Sequence, residues 1–135
     1  METSDIVRRL RQYFERHADG IACAYLFGST ARGEAGRASD VDVAVLLTED
    51  PPATLAGSGV RLEGQLESEL GTRVDLVLLN RAPVDLVHRI LRDGELVFEA
   101  DASARVRFEV RARNLWFDLK PILDTYRRVP PSDHG

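Results

Sequence analysis

The stretch FGSTARGEAGRASDVDVAVLL, residues 27–47, contains the pattern that decides the fold. An apolar run leads into Gly28 and Ser29, and after ten intervening residues Asp40 and Asp42 open a second apolar run. Alternate side chains of a strand point to one face, so these two carboxylates would project together, with Cα atoms ~6.5–7 Å apart. We interpret the stretch as two buried strands joined through a turn, with a carboxylate pair at the head of the second.

The rest of the chain predicts helices and strands in alternation, with no internal repeat and no linker. Thr3 or Ser4 is expected to cap the first helix, Gly71 to end the second long one, and Pro121 to kink or break the last one. The predicted helices cover residues 4–17, 55–70, 83–94 and about 101–128, with a short helical turn at 30–34. The predicted strands cover residues 21–27, 40–47, 73–79 and 95–99.

Composition limits the classes of protein to consider. The 135 residues are 44% hydrophobic and 30% charged, which is typical of a globular chain, and the net charge of -4 argues against stable nucleic-acid binding. Cys23 is the single cysteine and lies in an apolar run, so we expect a buried structural thiol and no disulfide. No segment resembles a signal peptide or a membrane span, and we expect a cytoplasmic protein without membrane contact.

The carboxylates favour a metal site. Two carboxylates this close repel each other unless a cation lies between them, and Mg²⁺ binds through one or two carboxylates together with substrate phosphates. Asp75 lies in the third predicted strand between Val74 and Leu76, and it would join Asp40 and Asp42 if that strand is adjacent. Three carboxylates suit two ions ~3.5–4 Å apart, an arrangement for in-line phosphoryl displacement. We interpret all three as catalytic residues and metal ligands.

The Gly-Ser turn supplies a phosphate site beside these carboxylates. Glycine lets the backbone approach a ligand closely, and amides at the start of a helical turn favour phosphate. We therefore assign nucleotide binding to Gly28, Ser29 and Arg32, with Arg37 also near enough in sequence to neutralise negative charge. The whole pattern indicates metal-assisted nucleotidyl transfer, although each part alone has a plain structural explanation.

Other candidate residues favour a structural role. His17, His88 and His134 are scattered, and their spacing does not suggest zinc. The last helix carries an apolar stripe, which we interpret as packing, and an excess of arginines, which we interpret as a solvated face. The residues of the stripe are Phe108, Ala112, Leu115, Leu119, Ile122 and Tyr126.

The spacing of Gly28-Ser29, Asp40-x-Asp42 and Asp75 resembles that of the DNA polymerase beta-like nucleotidyltransferase superfamily. The segment GSTARGEAGRASDVDVAVLL, followed later by VDLVLLN, resembles the sequences of its minimal nucleotidyltransferase branch. The last helix resembles that of MntA-type antitoxins. The resemblance implies an α+β, polymerase beta-like fold: a small mixed β-sheet with helices packed on it and a long C-terminal helix. It implies one domain over residues 1–135, with its core at about 21–80.

The resemblance also implies an activity. Members of this branch use ATP and Mg²⁺ to transfer AMP to a tyrosine of a HEPN-domain ribonuclease toxin, with which they can form a hetero-oligomer. Sixty residues follow Asp75, mostly in one helix, so we expect no second lobe and a macromolecular acceptor. Two alternatives stay open: a non-catalytic antitoxin that acts by binding and occlusion, and a nucleotidyltransferase that acts on a small-molecule hydroxyl.

Overall fold

A computed structural model describes residues 2–17, 19–31, 40–49 and 56–128 of the chain. Along this part of the chain, helices and strands alternate as the sequence predicts. The elements are α1 (Thr3–Arg16), β1 (Ile21–Phe27), α2 (Gly28–Ala31), β2 (Val41–Leu47), α3 (Ala56–Leu70), β3 (Val74–Leu78), a 3₁₀ turn (Leu79–Arg81), α4 (Val84–Asp93), β4 (Glu95–Glu99) and α5 (Ala102–Arg128).

The strands form one sheet in the order β3-β2-β1-β4. β2 and β3 run parallel, whereas β1 is antiparallel to both of its neighbours, β2 and β4. The two central strands, β1 and β2, are buried over most of their length, as expected for strands that are apolar at nearly every position. The small mixed sheet of the expected α+β fold is therefore confirmed.

Helices cover both faces of the sheet. α1 and α3 pack on one face, where the alternate valines of β2 meet them, and α4 with the first half of α5 packs on the other, against Ala44 and Leu46. The strand period of two divides the side chains of β2 between two hydrophobic clusters. The first cluster includes Leu10, Phe14, Val43, Val45, Leu66 and Leu70, and the second includes Cys23, Tyr25, Ala44, Leu79, Val87 and Ile90.

β3 is an edge strand, and α3 satisfies its outward-facing backbone groups. The Val74 amide donates a hydrogen bond to the Glu67 carboxylate (3.0 Å), and the Leu76 amide donates one to the Glu63 carboxylate (3.0 Å). The two glutamates lie one helical turn apart and so match two outward amides of the strand. These bonds cover part of an exposed sheet edge and fix the strand that carries Asp75.

The predicted cap of the first helix is wrong. α1 begins at Thr3, and its N-cap is Glu2, which makes no side-chain capping bond. The Glu2 carbonyl already accepts hydrogen bonds from the Asp5 and Ile6 amides, both at 3.1 Å, so the helix starts before the predicted caps. Gly71 is confirmed as the residue that ends α3, since its amide donates to the Glu67 carbonyl (2.8 Å) and its φ is +71°.

Two elements near the quoted stretch begin at other residues than predicted. α2 starts at Gly28 instead of residue 30, because Gly28 has a φ of +76° and turns the chain directly out of β1. β2 starts at Val41, so Asp40 precedes the strand instead of opening it. β3 ends at Leu78 because Leu79 enters the 3₁₀ turn. Residues 32–34 of the predicted turn lie outside the described residues.

Pro121 does not break α5, which continues to Arg128. A proline removes the hydrogen bond to the carbonyl four residues earlier, here that of Phe117. Phe117 as a whole residue is largely exposed. The Thr125 hydroxyl also donates a hydrogen bond to the Pro121 carbonyl (2.9 Å) within the helix. The predicted break is therefore wrong, and the predicted kink stays a prediction.

A polar network fixes the first half of α5 to the sheet. The Tyr25 hydroxyl donates to Glu109 Oε1 (2.7 Å), and Arg105 binds the same Glu109 carboxylate (2.9 Å) as well as Glu99 at the end of β4. Burial and the bond to Glu109 raise the pKa of Tyr25 well above its ordinary value. The network holds α5 at a defined position over β1.

Candidate active site

Two of the predicted carboxylates are neighbours in the sheet. Asp42 of β2 is in register with Asp75 of β3, its parallel neighbour. Residues in register on adjacent parallel strands point to one face, with backbones ~4.8 Å apart. Asp42 is half-buried and Asp75 is exposed, so the pair lies at an accessible edge of the sheet. The sequence analysis expected Asp75 to join the other carboxylates if the third strand lies beside the second, and β3 does lie beside β2.

Asp40 lies just before β2, beside an arginine that no sequence motif indicates. Arg73 Nε is 4.0 Å from Asp40 Oδ1, and the Val41 amide donates to the Arg73 carbonyl (3.0 Å). The parallel register pairs Val41 with Val74, and it therefore brings the two preceding residues together. Arg73 is 84% exposed, so this ion pair is weak and does not compete strongly with a bound cation.

Gly28 lies directly against the Asp42 carboxylate. Its φ of +76° is in the region that favours glycine, and a Cβ at this position would lie 2.2 Å from Asp42 Oδ2. Any side chain at residue 28 would strain the backbone and also displace the carboxylate. The first residue of the Gly-Ser turn thus adjoins the Asp-x-Asp pattern, as the sequence spacing suggested.

The other predicted nucleotide-binding groups lie outside the described part of the structure. The backbone of Ser29 belongs to α2, but its side chain is not described, and neither Arg32 nor Arg37 is among the described residues. Their binding roles stay predictions.

The donor set at this edge fits Mg²⁺, which prefers carboxylate oxygens and completes its shell with substrate phosphates. Across the described ranges, no group of three or more His, Cys, Asp or Glu side chains is placed to hold a metal ion by itself. The register brings Asp42 and Asp75 to one face, and Asp40 stands two residues before Asp42. A metal site there would need phosphate oxygens from a bound nucleotide, and three-carboxylate coordination stays a prediction.

The residues set aside in the sequence have structural partners. His88 stacks on Trp116 (ring centroids 3.9 Å apart, planes at 7°), and His17 packs on Tyr13 (4.8 Å). Cys23 is a fully buried free thiol, and burial raises its pKa to about 11, so the predicted structural role is confirmed. His134 lies outside the described residues.

The apolar stripe of α5 is only partly a packing face. Ala104, Phe108 and Ala112 pack against the sheet, but Leu115, Ile122 and Tyr126 are exposed. The interpretation of the whole stripe as packing is therefore wrong for its second half. None of the described helices is long and apolar enough to span a membrane.

Comparison with known families covers the site and most of the fold. Residues 8–103 match the model of the family described as polymerase beta, nucleotidyltransferase. The matched segment contains all four strands and the three aspartates, and it ends as α5 begins. The sheet with its Gly-Ser turn and carboxylates is thus the part of the chain that the family shares.

Individual relatives agree with this match. The protein adenylyltransferase MntA of Thermococcus cleftensis is 36% identical over 86 residues, 64% of this chain and 79% of the relative. A toxin-antitoxin crystal structure with AMP-PNP matches at a TM-score of 0.68, with 23% identity and coverage of 90% of this chain and 98% of that chain. A complex of a tri-AMPylated Shewanella oneidensis HEPN toxin with an MNT antitoxin matches at 0.63, with 21% identity and coverage of 93% and 98%. At these identities the structural likeness shows the fold, and the expected polymerase beta-like fold is confirmed.

Proposed function

This chain belongs to the polymerase beta nucleotidyltransferase family, and we propose that it is an antitoxin that transfers AMP from ATP to a tyrosine hydroxyl of a HEPN-domain toxin. A relative of 36% identity is named a protein adenylyltransferase. A complex of the same fold contains a HEPN toxin that carries three AMP groups, and another contains the ATP analogue AMP-PNP. These relatives support both the donor and the acceptor.

One observation in this chain carries the proposal: Asp42 lies between Gly28 and Asp75 at one end of the sheet. Gly28 leaves no room for a side chain beside the Asp42 carboxylate, and Asp75 is in register with Asp42 on the next strand. A phosphate held at the Gly-Ser turn would therefore lie beside the carboxylates. The exposure of Asp75 on an edge strand suits an acceptor that is itself a protein.

In the proposed reaction, Gly28, Ser29 and Arg32 bind the triphosphate of ATP, and Asp40, Asp42 and Asp75 hold Mg²⁺. Mg²⁺ held by these carboxylates would supply stabilisation of the negative charge that develops during the transfer. Asp75 accepts the proton of the tyrosine hydroxyl. The tyrosine oxygen then forms a bond to the α-phosphorus as the bond to pyrophosphate breaks, and the proton passes to solvent.

The direct test uses ATP labelled at the α-phosphate, Mg²⁺, this protein and its cognate HEPN-domain toxin. We expect the label on the toxin, with mass increases in steps of one AMP and the modified residue identified as tyrosine. An unmodified toxin in the presence of both Mg²⁺ and ATP would contradict the proposal. Omission of Mg²⁺ should abolish the labelling and so tests the proposed metal dependence separately.

A second candidate function is neutralisation by binding alone, and the exposed second half of α5 favours it. The double variant Asp40→Ala with Asp42→Ala separates the two. If transfer is required, this variant binds the toxin but no longer protects cells from it. If protection survives at equal protein levels, occlusion is sufficient.

A further inference from the structure

The apolar stripe of α5 continues beyond the surface that covers it. Its first part packs on the sheet, and its continuation comprises Leu115, Leu119, Ile122 and Tyr126, which we call the outer stripe. Leu119 is half-buried, whereas Leu115 is 48% exposed, Ile122 55% and Tyr126 75%. Large apolar side chains that recur at helical spacing and stay exposed are typical of an interaction surface.

The length of the helix explains why the outer stripe is uncovered. α5 has 27 residues and is therefore about 40 Å long. The longest strands have seven residues and reach about 23 Å, and a four-stranded sheet is about 15 Å wide. The helix exceeds the sheet in either direction, so the sheet cannot cover its whole length.

A cavity at the inner end of the outer stripe offers an insertion point. It has a volume of about 240 Å³ and lies between α5, α4 and the 3₁₀ turn. Arg111 and Leu115, one helical turn apart on α5, line it together with Val84 and Val87 of α4. The lining side chains are mainly apolar, but Asn80 and Arg111 add polar groups, so the cavity suits an apolar anchor flanked by an acidic residue.

The charge of α5 is opposite to that of the rest of the chain. The helix has seven basic and three acidic residues, whereas the remaining residues have eleven basic and nineteen acidic. Three exposed arginines lie on its first half, next to the cavity: Arg107, Arg111 and Arg113. The segment of the outer stripe itself has Lys120 together with Asp118 and Asp124. A surface that docks there would be attracted if it carried acidic groups around an apolar centre.

The same charges disfavour a second copy of this chain as the occupant. An isologous pairing of two α5 helices would bring two basic surfaces together, and a contact of α5 with the acidic body of another copy would be heterologous and would not close. We propose that the outer stripe is the docking surface for the HEPN-domain toxin that receives AMP, through an apolar toxin surface that carries acidic residues where it meets Arg111 at the cavity. This proposal rests on the function proposed above.

The test compares a double variant of the outer stripe, Ile122→Ser with Tyr126→Ser, with the control Val60→Ser. Val60 is an exposed apolar residue of α3, with 71% exposure, and its change should have no effect. We expect the double variant to bind the toxin at least tenfold more weakly in calorimetric titration, while AMP transfer at saturating toxin stays within twofold of wild type. Affinity equal to that of wild type would overturn the docking surface.

A charge variant tests the nature of the partner. Arg111→Glu should weaken toxin binding several-fold, and the wild-type affinity should fall as salt concentration rises. If neither Arg111→Glu nor salt changes the affinity, acidic residues on the toxin surface that docks at Arg111 are contradicted. If light scattering shows that the wild type alone is a dimer that the double variant disrupts, a second copy occupies the face and the proposal is overturned.

These outcomes are distinguishable from failure of the proposed function. If the toxin binds through the outer stripe but is never labelled with AMP, the docking surface is supported and the transferase role is contradicted. If wild type and double variant label the toxin equally at limiting concentrations, the docking surface is contradicted and the transferase role is supported. Circular dichroism of both variants checks that α5 remains helical.

Discussion

The carboxylate end of the sheet and the outer stripe of α5 have opposite surroundings. Asp42 is enclosed by strands on both sides and by Gly28, whose backbone leaves no room for a side chain. The outer stripe has large apolar groups that the chain itself leaves exposed. The first region lies within the segment shared with the family, residues 8–103, and the second lies beyond it. In the proposed function, AMP transfer depends on the carboxylate end of the sheet and toxin binding depends on the outer stripe of α5. A substitution can therefore impair either one without the other.

The largest expected effect is on transfer alone. Asp75→Asn removes one negative charge and the proposed proton acceptor, so we expect the rate of AMP transfer to fall by roughly 10²-fold or more, as typical for loss of one electrostatic group at a reacting centre. Toxin affinity should not change, because the outer stripe is intact. The measurements are single-turnover labelling and calorimetry.

The matched control for Asp75 is Asp85→Asn, the same change at another exposed aspartate, in the first turn of α4. It should leave both transfer and toxin binding at wild-type levels. A normal transfer rate in Asp75→Asn would show that the site uses only Asp40 and Asp42, and that strand register alone placed the third carboxylate nearby.

A second substitution tests whether the close packing at the carboxylate end matters for function. Gly28→Ala should lower transfer by roughly tenfold or more and cost about 1–3 kcal/mol of stability, because it adds a left-handed alanine and a clash with Asp42. Gly20→Ala is the matched control, with a φ of +78° and no atom within 4 Å of the added Cβ. It carries the backbone strain without the clash.

The difference between the two glycine variants is the informative quantity. Equilibrium unfolding in urea gives the two stability losses, and labelling of the toxin gives the two rates. Equal losses and equal rates would mean that contact between Gly28 and Asp42 has no functional consequence. A loss of transfer in Gly28→Ala alone would assign the effect to the displaced carboxylate.

Short-range patterns in the sequence were sufficient to predict most of the helices and strands and the proximity of two of the three carboxylates. β1 and β4 have the predicted bounds. β1 is an apolar run between Gly20 and Gly28, and β4 follows Gly94 with its apolar residues 96–98 between two glutamates. The proximity of Asp42 to Asp75 followed from one assumption, that the third strand neighbours the second. The order of the strands and the alternation of side chains along them were therefore enough to predict that Asp42 and Asp75 lie together.

Features that depend on tertiary arrangement could not be predicted from the sequence. Arg73 has no motif of its own, and only the register of β2 and β3 brings it to Asp40. The period of α5 shows which side chains share a face, but it does not show where the sheet stops covering that face. The exposure of Tyr126 therefore required the structure. The continuation of the helix through Pro121 likewise required the structure, because a proline alone predicts a kink or a break.

A smaller effect, on the free energy of unfolding, is expected when the hydrogen bonds between α3 glutamates and β3 amides are removed. Glu63→Ala would leave the Leu76 amide without its helical acceptor, at a cost of about 1 kcal/mol because water can partly replace the bond at an edge. Glu63→Gln keeps an acceptor oxygen and should lose less. Urea unfolding of both, with the exposed Glu15→Ala of α1 as control, measures the difference. An unchanged stability in Glu63→Ala would show that α3 does not stabilise the sheet edge, and toxin affinity should be normal throughout.

The last effect is absent at neutral pH, appears only at alkaline pH, and concerns the anchored half of α5. Cys23 lies below the network of Tyr25, Arg105, Glu109 and Glu99, and burial raises its pKa from an ordinary 9.0 to about 11. Below pH 9 the thiol is protonated in both the folded and unfolded states. Between pH 9 and 11 the unfolded chain loses this proton and the folded chain keeps it, so stability falls by up to about 1.4 kcal/mol per pH unit.

Cys23→Ala removes this titration and should move the onset of alkaline destabilisation upward by about one pH unit, to the region where tyrosine ionises. The raised pKa values of Tyr25 and Tyr13 then govern the remaining loss. The measurement is the slope of unfolding free energy against pH, which separates the titration from any constant packing loss in the variant. A slope above pH 9 that is identical in both proteins would show that Cys23 becomes solvated under α5. The anchored half of the helix would then be less firmly packed than its network indicates, and its contrast with the outer stripe would weaken.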